Sequence, residues 1–140
     1  MEKIKISDFL VIEYADIEVG QFIILIGPQA NGKSIVAKLI YFFRSLLNLN
    51  FEYSIKRLQS LKEFNDAALS KFKKIFPEYT WKDDNFNIKY MLQDFEIEIK
   101  REKGVKGQVG TELFISDSLK DIYTTLKTTY KTKMQSLSLK

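Results

Sequence analysis

Eight consecutive residues carry the clearest chemical signal in this chain: Gly27-Pro28-Gln29-Ala30-Asn31-Gly32-Lys33-Ser34. They satisfy G-x-x-x-x-G-K-[ST] at every fixed position, the spacing of a phosphate-binding P-loop. Gly27 and Gly32 permit a tight turn and a close approach of backbone to phosphate. Successive backbone N–H groups can then curl around phosphate oxygens, and the free donors of a following helix add partial positive charge. Lys33 would reach the β- and γ-phosphates of a nucleoside triphosphate, and the Ser34 hydroxyl would ligate Mg²⁺. The ligands expected are therefore ATP and Mg²⁺, with Gly27, Pro28, Gln29, Ala30, Asn31, Gly32, Lys33 and Ser34 as the binding segment.

The flanks suit that chemistry. Phe22-Ile23-Ile24-Leu25-Ile26 is a short continuous apolar run, as a buried strand requires. Ile35 to Phe43 after the loop is dense in apolar residues and predicts a helix running to about Asn48, packed on both sides.

Bulk properties narrow the alternatives. The chain has 140 residues with 45% apolar and 14% aromatic side chains, enough for a globular core. It is short for a complete P-loop ATPase. Cysteine and histidine are both absent, which excludes disulfides, thiolate zinc sites, histidine acid–base catalysis and a Ser-His-Asp triad. No signal-like segment and no apolar run of spanning length is seen, so a cytoplasmic protein without membrane contact is expected. The net charge of +4 is concentrated in residues 118–140, where five lysines face Asp121 alone. Such a basic tail can contact DNA or form a solvated face.

Taken in order, Lys3 to Ile6 alternates as a half-buried strand, Ser7-Asp8 interrupts it, and alternation resumes from Ile12 to Val19. Two or three antiparallel strands thus precede the P-loop. The run from Ile4 to Ser34 resembles the N-terminal segment of ABC-type ATPases of the RecF/SMC-like group, which act in DNA repair, chromosome maintenance and anti-phage defence. Ile6, Phe9, Asp16, Ile17, Gly20, Leu25, Ile26 and Gly27 to Ser34 match that group's pattern. Leu10 departs from it, standing where a basic phosphate-holding residue is usual. Gln29-Ala30-Asn31 replaces the usual Asn-Gly-x or Asn-Ala-x.

Further along, an amphipathic helix is expected over about 54–76, closed by Pro77. Phe86 to Leu92 and Phe95 to Lys100 alternate strictly about Gln93-Asp94, predicting a β-hairpin with Phe86, Ile88, Tyr90 and Leu92 on the core. Lys103 to Gly110 predicts a flexible basic loop, Thr111 to Ile115 a third strand, and Asp117 the start of a last helix. The fold expected is α/β: a P-loop NTPase N-terminal lobe, its mixed sheet combining antiparallel N-terminal strands with the hairpin, flanked by helices. The lobe would span 1–117 with a helical insertion at about 54–76, and 118–140 would begin a C-terminal helix or coiled-coil arm.

A complete ATPase also needs a strand ending in Asp-Glu to hold the Mg²⁺ shell and activate water. No apolar run here ends in Asp-Glu. Leu113-Phe114-Ile115-Ser116-Asp117 is the nearest candidate, and its aspartate reads as a helix start. Leu-Ser-Gly-Gly-Gln is absent too. By the resemblance, Gln93 could be a Mg²⁺-sensing glutamine; as a local feature it is a turn residue. The catalytic residues are unassigned, with Asp94 and Asp117 the first acids to consider. Three readings remain. The chain is an ATP-binding lobe completed by a C-terminal ATPase lobe or second chain, homodimeric when complete. Alternatively it is a non-hydrolysing ATP-binding regulatory or assembly module. The third reading, a small P-loop kinase, is disfavoured because Arg44, Arg57 and Arg101, the only arginines, form no lid.

Overall fold

A computed structural model describes residues 1–20, 32–103 and 109–138. The expected P-loop strand at 22–26, the loop from Gly27 to Asn31 and the basic loop at 104–108 lie outside the described residues.

Among the described residues five strands form one sheet: β1 (Glu2–Phe9), β2 (Ile12–Val19), β3 (Phe86–Leu92), β4 (Phe95–Lys103) and β5 (Val109–Ile115). Their spatial order is β2-β1-β3-β4-β5, and every pairing among the described residues is antiparallel. The protein is thus mixed α/β, with an antiparallel sheet flanked by helices. Period-two alternation explains the sheet's two faces. Ile4, Ile6, Phe86, Ile88, Tyr90, Ile97, Ile99, Leu113 and Ile115 point to the core. The opposite face carries charge, with Lys3 paired to Asp16 at 3.1 Å and Lys89 to Glu98 at 3.4 Å. The predicted hairpin forms with its turn at Gln93-Asp94; Phe86, Ile88 and Tyr90 are buried and Leu92 is half-buried.

The N-terminal hairpin differs from expectation in where it turns. Ser7-Asp8 does not interrupt β1. Asp8 takes a left-handed backbone (φ 55°), Phe9 still pairs with Ile12, and the chain reverses at Leu10-Val11 with Leu10 also at positive φ (53°). The twist at Asp8 shifts the alternation by one, so Phe9 turns inward against Phe72, Phe76 and Phe86. Burying that ring outweighs two unfavourable backbone conformations of about 1–2 kcal/mol each.

The helices are α1 (Lys33–Ser45), α2 (Phe51–Lys56), α3 (Leu61–Ile75) and α4 (Asp117–Ser138). Two boundaries correct the sequence reading. Asn48 does not end the first helix. A π-helical turn, Leu46–Asn50, carries it into α2, with the Phe51 N–H donating to the Leu46 carbonyl five residues back. The helix expected over 54–76 is instead broken at 57–60. Leu58 has φ 54°, and Ser60 starts α3 with a capping box. Its hydroxyl accepts from the Glu63 N–H at 3.1 Å, while the Glu63 carboxylate accepts from the Ser60 N–H at 3.4 Å. Nor is α1 packed on both sides among the described residues: Val36, Leu39, Phe42 and Phe43 are buried, whereas Tyr41 and Arg44 are exposed. The first turns of α4 belong to the common core through Leu119 and Tyr123, and the Tyr123 hydroxyl donates to the Gln59 carbonyl at 2.7 Å. Its later turns are largely exposed.

Candidate phosphate-binding site

Three residues of the motif, Gly32, Lys33 and Ser34, are described. Gly32 caps α1 in the left-handed conformation (φ 78°, ψ 10°), and its carbonyl accepts from the Val36 N–H at 3.0 Å. A Cβ placed on Gly32 would lie 2.7 Å from Ile12 Cγ1 and 3.5 Å from Val11 Cγ2. Both conformation and space therefore demand glycine here. The β1–β2 turn presses against the start of α1, which fixes where the helix begins.

The start of α1 has no side-chain cap and no acidic residue in its first turn. Among the described residues no side chain competes with an anion for its leading N–H groups, and the helix dipole favours negative charge there. Lys33 is half-buried and Ser34 exposed, and among the described residues Lys33 takes part in no ion pair. This donor set suits a phosphate: a left-handed glycine, backbone amides, one ammonium and one hydroxyl. For magnesium the chain offers Ser34 Oγ, with nucleotide oxygens and water as the remaining ligands such an ion prefers. Among the described residues no group of three or more metal-ligating side chains gathers elsewhere.

The far end of α1 is tied to the opposite end of the sheet. Arg44 donates to both carboxylate oxygens of Glu2, at 2.8 and 2.7 Å, and the Tyr90 hydroxyl donates to Glu2 Oε1 at 2.5 Å. Phe43 stacks on the Tyr90 ring at 4.9 Å. Burial, reinforced by the Glu2 carboxylate, pushes the Tyr90 phenol well above its ordinary pKa. The helix thus runs the length of β1, from the Leu10-Val11 turn to Glu2.

That orientation decides the placement of the remaining candidates. Glu2 pairs with Leu92, so the Gln93-Asp94 turn lies at the Glu2 end. Seven strand steps from Glu2 to Phe9 cover about 23 Å, and this length separates Gln93 from the Gly32 end. Gln93 is an exposed turn residue with φ 55°, its N–H donating to the Met1 carbonyl at 3.0 Å. The structure does not bring it to Ser34. Asp117 lies at the same distant end as Asp94: Ser116 N–H donates to Glu96 O, and Ser118 Oγ donates to Asp94 O.

Two polar features, one buried and one half-buried, escape the sequence reading. Arg101 is buried on the inner face of β4, its guanidinium 5.4 Å from the Trp81 ring centroid and donating to Thr111 Oγ1 at 3.2 Å and to the Lys82 carbonyl. The alternation that turns Ile97 and Ile99 inward places it there, and it fastens the 77–85 connection to the sheet. Lys71 of α3 reaches back to the π turn, and nothing local in the sequence signals that contact.

No protein-family model, no curated protein and no solved structure matches this chain. Among the described residues no helix is long and apolar enough to cross a membrane.

Proposed function

We propose that this chain binds MgATP as the N-terminal lobe of an ABC-type ATPase of the RecF/SMC-like group. The observation that carries this reading is Gly32, left-handed and closed against Ile12, immediately before a helix that opens with Lys33 and Ser34. A complete P-loop motif read together with that geometry favours phosphate over any other ligand. The strands preceding the motif agree with the group's pattern. Walker B and signature motifs would come from a C-terminal lobe or second chain, with two completed lobes pairing as a homodimer. The work of such an assembly would be DNA maintenance or phage defence in the cytoplasm, with the basic α4 as the segment able to meet DNA.

Within this chain, binding without hydrolysis is the corollary, and it coincides with the second reading, an ATP-binding assembly module. The distance of Asp94 and Asp117 from Gly32 favours it.

Isothermal titration tests the binding. The chain should bind ATP with Mg²⁺, and Lys33→Ala should weaken affinity by roughly 30- to 1000-fold, the equivalent of about 2–4 kcal/mol of charge-assisted contact. Equal affinity in the variant would defeat the assignment.

A further inference from the structure

The π turn Leu46–Asn50 stands between the helix that starts at Gly32 and the short helix that packs on α4. A turn that closes over five residues amounts to one residue inserted into an α-helix. In an unbroken α-helix Phe51 would sit five steps of 100° past Leu46, about 140° around the axis. The wide turn instead brings both side chains into the core. Phe51 then packs edge-on against Phe64 and Tyr123, at 5.8 and 5.2 Å between ring centroids.

One side chain spans this turn from outside. Lys71 Nζ donates to Ser45 Oγ, just before it, at 2.7 Å, and to Asn50 Oδ1, its last residue, at 2.9 Å. Ser45 Oγ in turn donates to the Phe42 carbonyl at 3.0 Å. Every acidic side chain of the protein is among the described residues, and none forms an ion pair with Lys71. Among the described residues the ammonium is therefore held by neutral groups, the two oxygens and the Tyr41 ring 5.9 Å away, and its partial burial lowers its pKa. An α-helical register would change the separation of Ser45 and Asn50 and remove one of its two acceptors.

We propose that Leu46–Asn50 is a two-register hinge, held in its π form by Lys71. Release of the ammonium lets α1 and α2 join in α register. That rotation turns Phe51 away from Phe64 and Tyr123 and reshapes the groove between α2 and α4. The groove has a volume of about 490 Å³ and is lined by Leu47, Phe51, Ile55, Leu126 and Tyr130, among others. The hinge gives the start of α1 a mechanical connection to α4 through an element with two discrete arrangements, the physical requirement for coupling between distant sites. It does not depend on what binds at Gly32.

Hydrogen exchange of the full chain, read by mass spectrometry, tests this. Lys71→Met should accelerate exchange of the amides at 47–57 by about 10- to 100-fold, the loss of one or two hydrogen bonds from a charged donor. The sheet and the first turns of α1 should be unchanged. Deleting the exposed Asn48 removes the inserted residue while keeping Phe51 on the core side. In the Lys71→Met background this deletion should restore slow exchange at the same amides. Unchanged exchange at 47–57 in Lys71→Met would overturn the hinge, as would equal acceleration across the sheet. So would a deletion variant that fails to fold, since the turn would then not be a one-residue insertion.

Discussion

Gly32 and Ile12 meet so closely that a single added methyl group would overlap: the Cβ position of Gly32 is 2.7 Å from Ile12 Cγ1. This contact joins the β1–β2 turn to the start of α1 and defines the end of the sheet at which Gly32, Lys33 and Ser34 lie. Gly32→Ala adds left-handed strain and overlap, together about 2–3 kcal/mol. It should lower the melting temperature by roughly 6–12 °C and weaken ATP binding. Ile12→Ala is destabilising alone, by about 2–4 kcal/mol. The double variant should nevertheless be more stable than additivity predicts, by about 1 kcal/mol, because the overlap is gone. Strict additivity in a thermal-melt cycle would show that the two residues do not touch.

The Glu2–Arg44 pair makes stability depend on acid. The Arg44 guanidinium donating to Glu2 holds its carboxyl below the usual glutamate range; burial opposes this and the Tyr90 hydroxyl reinforces it. A carboxyl with a depressed folded pKa stabilises fully above its unfolded value and loses that contribution as pH falls through the folded value. Arg44 is 45% exposed, so solvent screening limits the pair to about 1 kcal/mol at neutral pH. Urea midpoints of the wild type should fall between about pH 5 and pH 3, and Glu2→Gln should flatten that fall while lowering the neutral plateau. An acid limb unchanged in Glu2→Gln would remove the pair from the account.

Gln93 sits in a left-handed turn conformation that glycine adopts freely. Gln93→Gly keeps the backbone N–H that donates to Met1 and should raise stability by about 0.5–1 kcal/mol after the entropy of the unfolded glycine is included. Mg²⁺-dependent ATP affinity should not move, because the residue lies a full strand length from Ser34. A loss of affinity in titrations of this variant would return Gln93 to the site.

Hydrolysis by the chain alone should be negligible. Turnover well under about 1 s⁻¹, the lower end for kinase-type catalysts, is expected in phosphate-release assays. Asp94→Asn and Asp117→Asn should not alter it. Turnover near that value, lost in either aspartate variant, would require the sheet to be oriented otherwise.

Local chemistry made much of this protein legible from its residues. Strict alternation over Phe86 to Lys100 specifies a two-faced hairpin, because side chains of a strand can only point to opposite sides. Asp117 reads correctly as a helix start because a negative charge suits the first turn of a helix, a preference set within that turn. Ser60 and Glu63 carry an equally local capping signal, which marks the true start of α3 and which continuous apolar periodicity obscures. The glycine-lysine-serine motif is local too, so its chemistry is readable even though its geometry is described only from Gly32 onward.

What tertiary structure decided are the relations between segments far apart in the chain. β1 lies beside β3 across seventy-six intervening residues, and that register sends Gln93, Asp94 and Asp117 to the end opposite Gly32. No local pattern encodes which end of one strand meets which end of another, since pairing is selected by how whole faces pack. The π turn has the same origin. Asn48-Leu49-Asn50 looks like a helix end by propensity, yet burying Phe51 against Phe64 and Tyr123 stabilises by more than propensity opposes. The helix widens there rather than stopping, and a lysine twenty-one residues beyond Asn50 holds it so.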